Sequence, residues 1–131
     1  MRLWEKLKPH ILATPRHPPT IRDIALTMKA EVLAVRRVAK QLARLGELVE
    51  VGTDRFFARS TLIELAGLAE ELAGRNSAGV FTAADFRDAA GTGRNVGIAI
   101  LEHFDRIGIT IRRGDERRLG KPAVAVLTPR A

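Results

Sequence analysis

The sequence predicts a mainly α-helical fold with small β-hairpins, arranged as two tandem copies of one module. The first observation behind this prediction is an internal repeat, because the chain aligns with itself without gaps over residues 20–119 when shifted by 62 residues. Core and turn positions coincide in this register, which composition alone does not produce. The second observation is the element order, which is the same in both copies. Six aligned pairs are identical: Thr20 and Thr82, Asp23 and Asp85, Arg44 and Arg106, Gly46 and Gly108, Gly52 and Gly114, and Arg55 and Arg117.

In the first copy, apolar residues recur at helical spacing from Leu3 through Leu7 to Ile11. Three prolines then prevent the helix from continuing. Thr20 is a suitable N-cap for the next helix, and Gly46 stands where a left-handed C-cap ends the third. The predicted elements are a helix over 2–12, a loop over 14–19, a short helix after Thr20, a helix over 31–45 that buries Val35, Val38, Leu42 and Leu45, and a hairpin of 48–51 and 56–58.

The second copy repeats this order. Thr82, followed three residues later by Asp85, resembles a capping box. The predicted elements are a helix over 61–75, a helix from Thr82, a helix that follows Gly91–Gly93 and runs to Ile107, and a hairpin of 109–113 and 117–119. Three helices and a hairpin are the order of a winged helix, a helix-turn-helix-like fold. The sequence therefore predicts two winged-helix domains, residues 1–59 and 60–131. Val96, Ile100, Leu101, Phe104 and Ile107 are expected in the second core.

Composition limits the function classes. With 46% apolar and 28% charged residues, the chain is typical of globular proteins. It has no cysteine, which excludes disulfides and cysteine zinc sites. It has no membrane-spanning apolar run, and its first residues lack the apolar stretch of a signal peptide, so we expect a cytoplasmic location without membrane partners. The net charge is +7 and all but five of 22 basic residues are arginine, which suits phosphate contacts.

The charge of the second copy lies beside its third helix rather than along it. The exposed positions of that helix are expected to be Ala99, Glu102, His103, Asp105 and Arg106, whose carboxylates would face phosphates in a DNA major groove. Free N–H groups at a helix start can bind a phosphate. Contacts of this kind suit the backbone and an unstacked base of an RNA loop better than the major groove of a duplex. The alternative is that the hairpin arginines only keep an edge strand soluble. The candidate RNA-binding residues are Thr92, Gly93, Arg94, Asn95, Arg112, Arg113, Arg117 and Arg118.

The first copy shows the opposite arrangement, with little charge on its hairpin beyond Arg55. Its third helix carries cations on the side expected to face solvent. They form either an ordinary solvated face or a second phosphate surface without sequence specificity. These cations are Arg36, Arg37, Lys40 and Arg44.

Four segments of the second copy carry a family resemblance. They read FTAADFRD over 81–88, GTGRN over 91–95, ILEHFDRIGIT over 100–110 and RRGD over 112–115. These segments resemble the last winged-helix domain of the bacterial selenocysteine-specific elongation factor family, SelB. The first copy resembles the penultimate domain by position only. One departure is Asn95, where a lysine is common in the family.

The resemblance implies a function. The family is a translational GTPase that delivers selenocysteyl-tRNA to in-frame UGA codons, and its last domain grips the apical loop of an mRNA insertion hairpin. It implies RNA-binding roles for the residues at the helix start and on the hairpin, with Arg87 as a further candidate that could instead pair with a neighbouring carboxylate. Contact of the first copy with ribosomal RNA is left open.

No catalytic function is expected of this chain itself. It contains no phosphate-loop motif, so GTP and Mg²⁺ are expected only in a GTPase domain outside this sequence, and selenocysteyl-tRNA is expected to bind through such other domains. His10, His17 and His103 form no dyad, and His103 is expected to be solvated. The rival functions are a regulator that binds double-stranded DNA through the first copy's cationic helix, and a protein-interaction module.

Overall fold

The computed structural model describes residues 2–127 and divides the chain into two compact units, Met1–Thr61 and Leu62–Ala131. The sequence prediction placed the boundary after residue 59. Residue 1, which begins the first predicted domain, and residues 128–131, which end the second, lie outside the described residues. Within residues 2–127, no helix combines the length and the apolar character that crossing a membrane requires.

The first unit contains three helices and a two-stranded hairpin. The elements are α1 (Leu3–Leu12), α2 (Ile21–Met28), α3 (Val32–Arg44), β1 (Leu48–Glu50) and β2 (Phe56–Ala58). The two strands are antiparallel, and Val49 pairs with Phe57. We call β1, β2 and the turn between them the first wing.

The predicted signals at the helix ends are confirmed. The Thr20 hydroxyl accepts a hydrogen bond from the Asp23 amide at the start of α2. Gly46 has a φ of 84° just after α3. The core prediction is wrong at one position, because Leu45 is 69% exposed beyond the last turn of α3. Val35 is fully buried, while Val38 and Leu42 pack against the core from partly buried positions.

The second unit has the same order with two additions. Helix α4 (Arg59–Ala73) begins before the unit boundary, and the later elements are β3 (Val80–Thr82), α5 (Ala83–Ala90), α6 (Arg94–Ile107), β4 (Thr110–Arg113), β5 (Glu116–Leu119) and α7 (Ala123–Leu127). We call β4, β5 and their turn the second wing. The sequence prediction missed β3 and α7. Strand β3 joins the second wing in a three-stranded sheet of order β3-β5-β4. In the first unit, an isolated bridge between Thr20 and Arg55 stands at the corresponding place.

The helix preceding α6 is fixed at both ends. Thr82 and Asp85 form the predicted capping box, with hydrogen bonds of 3.1 and 3.0 Å between side chains and amides. At the other end Gly91 adopts the left-handed conformation, with a φ of 71°. These two caps set where α5 starts and where it stops. The predicted core of α6 is confirmed except at Ile107, which is partly exposed.

The second wing leaves α6 through a close backbone contact. Gly108 caps α6 with a φ of 87°, and its carbonyl oxygen accepts a hydrogen bond of 2.7 Å from the Lys121 amide. A Cβ added to Gly120 would lie 2.4 Å from that same oxygen. The backbone segments that enter and leave the wing can approach this closely only because residue 120 has no side chain.

We expect Gly120→Ala to lower the stability of the second unit by about 1–3 kcal/mol, because the clash is with backbone and cannot be relieved by a rotamer change. Gly67→Ala is the matched control. Gly67 lies in α4 with nothing within 4 Å of its added Cβ, so that variant should gain about 0.5–1 kcal/mol from reduced backbone entropy. Thermal denaturation midpoints should move in opposite directions. Equal midpoints would show that the Gly108–Gly120 contact is not tight.

Candidate nucleic-acid interface

The start of α6 presents backbone donors and two polar side chains to solvent. Its N-cap is Gly93, which has extended backbone angles and offers no side-chain cap. The first N–H groups of α6 therefore have no capping side chain, which is the arrangement that favours an anion. Arg94 and Asn95 are exposed, and neither side chain bonds to another residue within 2–127. The Thr92 side chain lies beneath this end, 8% exposed, so Thr92 offers backbone rather than its hydroxyl.

The second wing separates its arginines onto different faces of the sheet. Neighbours in register share a face, and the row Phe81–Arg117–Arg112 contains two buried residues. The rows through Arg118 and Arg113 lie on the opposite, solvent-facing side. Arg112 remains exposed at the edge of the inner face, where its Nε donates to the Gly114 carbonyl at 3.1 Å. The wing therefore offers cations from both faces near its turn.

Arg117 does not belong to this exposed set, and the expectation for it is corrected. Its side chain is 4% exposed and pairs with Asp105 through both carboxylate oxygens. Nε lies 3.1 and 3.2 Å from Oδ1 and Oδ2, and Nη2 lies 3.0 Å from Oδ2. A bidentate pair of this kind is among the stronger polar contacts in proteins. It fixes the arginine inside the unit and away from solvent.

Asp105 was expected to be exposed on α6, and the structure differs from this expectation too. It is partly buried, with 22% of its side chain exposed, so it does not face an approaching phosphate as an open carboxylate. Its Oδ1 also accepts a hydrogen bond of 2.6 Å from the Thr110 hydroxyl. Thr110 is on β4 and Arg117 on β5, so one carboxylate of α6 holds both strands of the second wing.

Arg87 lies on α5 rather than on the wing. Its stem would contact a Cβ placed on Gly97 of α6, and its Nε is 3.7 Å from the Asp88 carboxylate. Both side chains of that pair are substantially exposed, so the pair is weak. Arg87 therefore lies beside a neighbouring carboxylate, as the alternative to an RNA-binding role expected. It does so where α5 and α6 come close to each other.

The first unit pairs its helix cations with carboxylates of its own wing. Arg36 Nε lies 2.7 Å from Asp54 Oδ1, and Lys40 Nζ lies 2.6 Å from Glu50 Oε1. The hydrogen bond from Arg36 holds the pKa of the Asp54 carboxyl below its usual value, and the same contact raises the pKa of Arg36. Of the four cations predicted as a second phosphate surface, Arg37 and Arg44 are exposed and form no ion pair with another residue of 2–127.

His103 is buried, which corrects the expectation of a solvated side chain. It is 9% exposed beside the Phe104 ring, and its Nδ1 has no hydrogen-bond partner within the described residues. Burial lowers the pKa of this imidazole, and the nearby Arg106 charge lowers it further. Among residues 2–127 no three His, Asp or Glu residues are arranged to hold a metal ion.

The buried imidazole predicts a pH dependence of stability. The unfolded chain binds a proton at His103 near pH 6.5, whereas the folded chain binds it at lower pH, so the free energy of unfolding should fall as the pH drops below about 6.5. His103→Phe keeps an aromatic ring but cannot bind the proton. In this variant the thermal denaturation midpoint should depend less on pH between pH 7.5 and 5 than it does in the wild type. The control variant His17→Gln changes an exposed residue and should keep the wild-type slope. An unchanged slope in His103→Phe would contradict the assignment.

Comparison with known proteins gives one consistent answer. A family model described as elongation factor SelB, winged helix, matches residues 75–119. The selenocysteine-specific elongation factor of Escherichia coli K12 is 35% identical over 117 residues, which cover 89% of this chain and 18% of that protein. A solved structure of the mRNA-binding domain of E. coli SelB in complex with SECIS RNA matches with a TM-score of 0.81 and 34% identity, covering 91% of this chain and 94% of that one. The chain belongs to the SelB winged-helix family.

The SelB relatives are much longer than this chain. The factor of Haemophilus influenzae is 29% identical over 99 residues, which cover 76% of this chain and 16% of that protein. The chain thus spans less than one fifth of the length of these relatives. The GTPase part of the factor does not lie in this sequence, which has no phosphate-loop motif.

Sequence reasoning did not find the residues that hold the wings. Asp105, Asp54 and Glu50 make the decisive contacts, yet each is an ordinary surface carboxylate by residue type. The available signal for Asp105 was its place in the SelB-like run 100–110. Nothing in the periodicity identified Asp54, which adopts a φ of 63° in the turn of the first wing.

Proposed function

We propose that this chain binds an mRNA selenocysteine insertion hairpin and anchors a selenocysteine-specific elongation factor to its message. The observation that carries the proposal is the match to the E. coli SelB domain solved with SECIS RNA, which extends over nearly the whole of both chains. We place this function in the cytoplasm, where mRNA is translated. GTP, Mg²⁺ and selenocysteyl-tRNA would bind parts of the factor outside this sequence.

The second unit is the proposed RNA-binding unit. Its free helix start and its exposed wing cations lie on elements joined by the Asp105 contacts. Arg94 and Asp105 are eleven residues apart on α6, or about 16 Å along the helix axis, so the two clusters can hold separate nucleotides. The proposed contacts are the backbone of Thr92 and Gly93 and the side chains of Arg94, Asn95, Arg112, Arg113 and Arg118, with Arg87 as a peripheral candidate.

This arrangement favours RNA over duplex DNA. Glu102 is exposed in the middle of α6, where a DNA-reading helix would need base-contacting donors and acceptors without repulsion of the phosphates. An RNA loop can instead place an unpaired base at the helix start while its backbone contacts the wing. A titration with the cognate hairpin, a scrambled hairpin and duplex DNA at about 0.15 M salt tests the proposal. Equal affinity for all three would refute it.

Arg94→Ala should reduce discrimination between the cognate hairpin and one with a replaced apical loop. A bidentate arginine contact to a base contributes roughly 1–3 kcal/mol of discrimination, and the exposed Arg94 is placed to make one. Affinities for both hairpins should be measured in one buffer. If discrimination stays at the wild-type level, the helix start only binds the RNA backbone.

Arg118→Ala and Arg117→Ala should differ in their salt dependence. Arg118 is exposed, so its loss should weaken all RNAs and reduce the slope of log affinity against log salt by about one. Arg117 is buried, so its loss should lower affinity by displacing the wing while the slope changes little. Circular dichroism should accompany both titrations. A slope that falls by one in Arg117→Ala would show that Arg117 contacts phosphate directly.

A further inference from the structure

The two units tie their wings to their helices with ion pairs of opposite polarity. In the first unit the cation is on α3 and the carboxylate on the wing, as in Arg36–Asp54. In the second unit the carboxylate is on α6 and the cation on the wing, as in Asp105–Arg117. The residue types are also reversed at one pair of positions that are equivalent in the 62-residue repeat. The pair Lys40–Glu50 of the first unit corresponds to Glu102 and Arg112 in the second.

The opposite polarity of the two ion pairs should affect phosphate binding differently in the two units. In the first unit the helix cations are held by carboxylates, and those carboxylates line the groove between α3 and the first wing. This groove is lined by Arg22, Leu33, Arg36, Lys40, Glu50 and Asp54. In the second unit the helix carboxylate Asp105 is held instead, and the wing keeps exposed arginines. An RNA backbone entering the first groove would therefore meet Arg36 and Lys40 as members of ion pairs rather than as free cations.

Net charge alone would favour the first unit as the RNA-binding one. Residues 1–61 contain 12 Lys and Arg against six Asp and Glu, a net charge of +6, whereas residues 62–131 contain 10 against nine, a net charge of +1. The more basic unit would be expected to attract RNA more strongly without sequence specificity. The placement of the carboxylates opposes this attraction at the winged-helix groove.

Building on the proposed function, we infer that Glu50 and Asp54 are specificity-determining residues that keep RNA out of the first unit's groove. They do so by pairing with Lys40 and Arg36, so that neither cation is free to bind a phosphate. RNA is then bound through the second unit, where loop contacts can select the correct hairpin. The first unit thus retains the groove between α3 and its wing, but the cations of that groove are paired and do not bind phosphates.

The contacts of Asp54 indicate how to open the groove without unfolding the unit. Its carboxylate accepts from Arg36 and from the Arg22 amide, and its amide donates to Glu50 Oε2 at 3.3 Å. Asparagine tolerates the left-handed conformation that residue 54 adopts, and its single carbonyl oxygen can still accept the bond from the Arg22 amide. Its NH2 group then replaces the oxygen that accepts from Arg36, so Arg36 is released. Glutamine at position 50 likewise retains an acceptor for the Asp54 amide. The double variant Glu50→Gln/Asp54→Asn thus removes both charges while keeping one acceptor oxygen at each position for a backbone amide.

The test compares this double variant with Glu5→Gln/Glu47→Gln, which removes two exposed carboxylates elsewhere in the first unit. Affinity for a scrambled hairpin should rise roughly four- to fivefold per released cation at 0.15 M salt, and the salt slope should steepen by about one for each. The cognate hairpin should gain less, so the cognate-to-scrambled ratio should fall. The control variant should show a much smaller gain without a steeper slope.

Two results would overturn the inference. Identical titrations for the two double variants would show that the carboxylates do not close the groove. Loss of wild-type RNA affinity in Lys40→Ala would show that the groove already contacts RNA. Failure of the proposed function is distinct, because it would appear as equal wild-type affinity for cognate and scrambled hairpins. In that case the gain in scrambled-hairpin affinity in Glu50→Gln/Asp54→Asn still reports whether the groove was closed.

Discussion

The carboxylate of Asp105 determines where the second wing stands relative to α6. It accepts hydrogen bonds from Thr110 on one strand and Arg117 on the other, and all three groups are largely withdrawn from solvent. A buried arginine without its carboxylate would be a strongly destabilising isolated charge. The wing therefore cannot move away from α6 without exposing or breaking this contact. Every exposed arginine of the wing depends on it for position.

The same constraint explains how two copies of one fold can differ in function. Both units have an ion pair between the wing and the third helix of the winged-helix motif, and its polarity differs between them. When the wing supplies the cation, its remaining arginines can face a ligand and the helix carboxylate is neutralised. When the wing supplies the carboxylate, as with Asp54, the helix cations are neutralised instead. The two copies thus share a similar backbone path. They differ in which partner of the wing–helix ion pair, the wing or the helix, supplies the positive charge.

Much of the fold could be predicted from the sequence because its signals are local. Apolar spacing located the long helices, and capping residues such as Thr82 and Gly46 located helix ends. Strand β3 was missed because three residues carry too little alternation to indicate a strand. Part of its pairing is supplied from outside the strand, since the Asn76 side chain bonds both the amide and the carbonyl of Val80. The rest of its pairing is with β5, far along the chain, and such a non-local partner has no signature in a single sequence.

The candidate site was predictable to a lesser degree. Composition and family resemblance indicated the helix start at Arg94 and the arginine-rich wing. They could not show that Arg117 turns inward, because residue type does not reveal a carboxylate partner 12 residues away. They also could not show that His103 is buried, since histidine occurs on both surfaces and interiors.

The central claim is that RNA is bound by the second unit while the groove of the first remains closed. Backbone amide resonances of the intact 131-residue chain, titrated with the cognate hairpin, test it most directly. The account predicts shifts concentrated at residues 92–95 and 112–118, with the amides of Arg36, Lys40 and Asp54 unchanged. Shifts of comparable size in the first groove, or an unperturbed second wing, would contradict it.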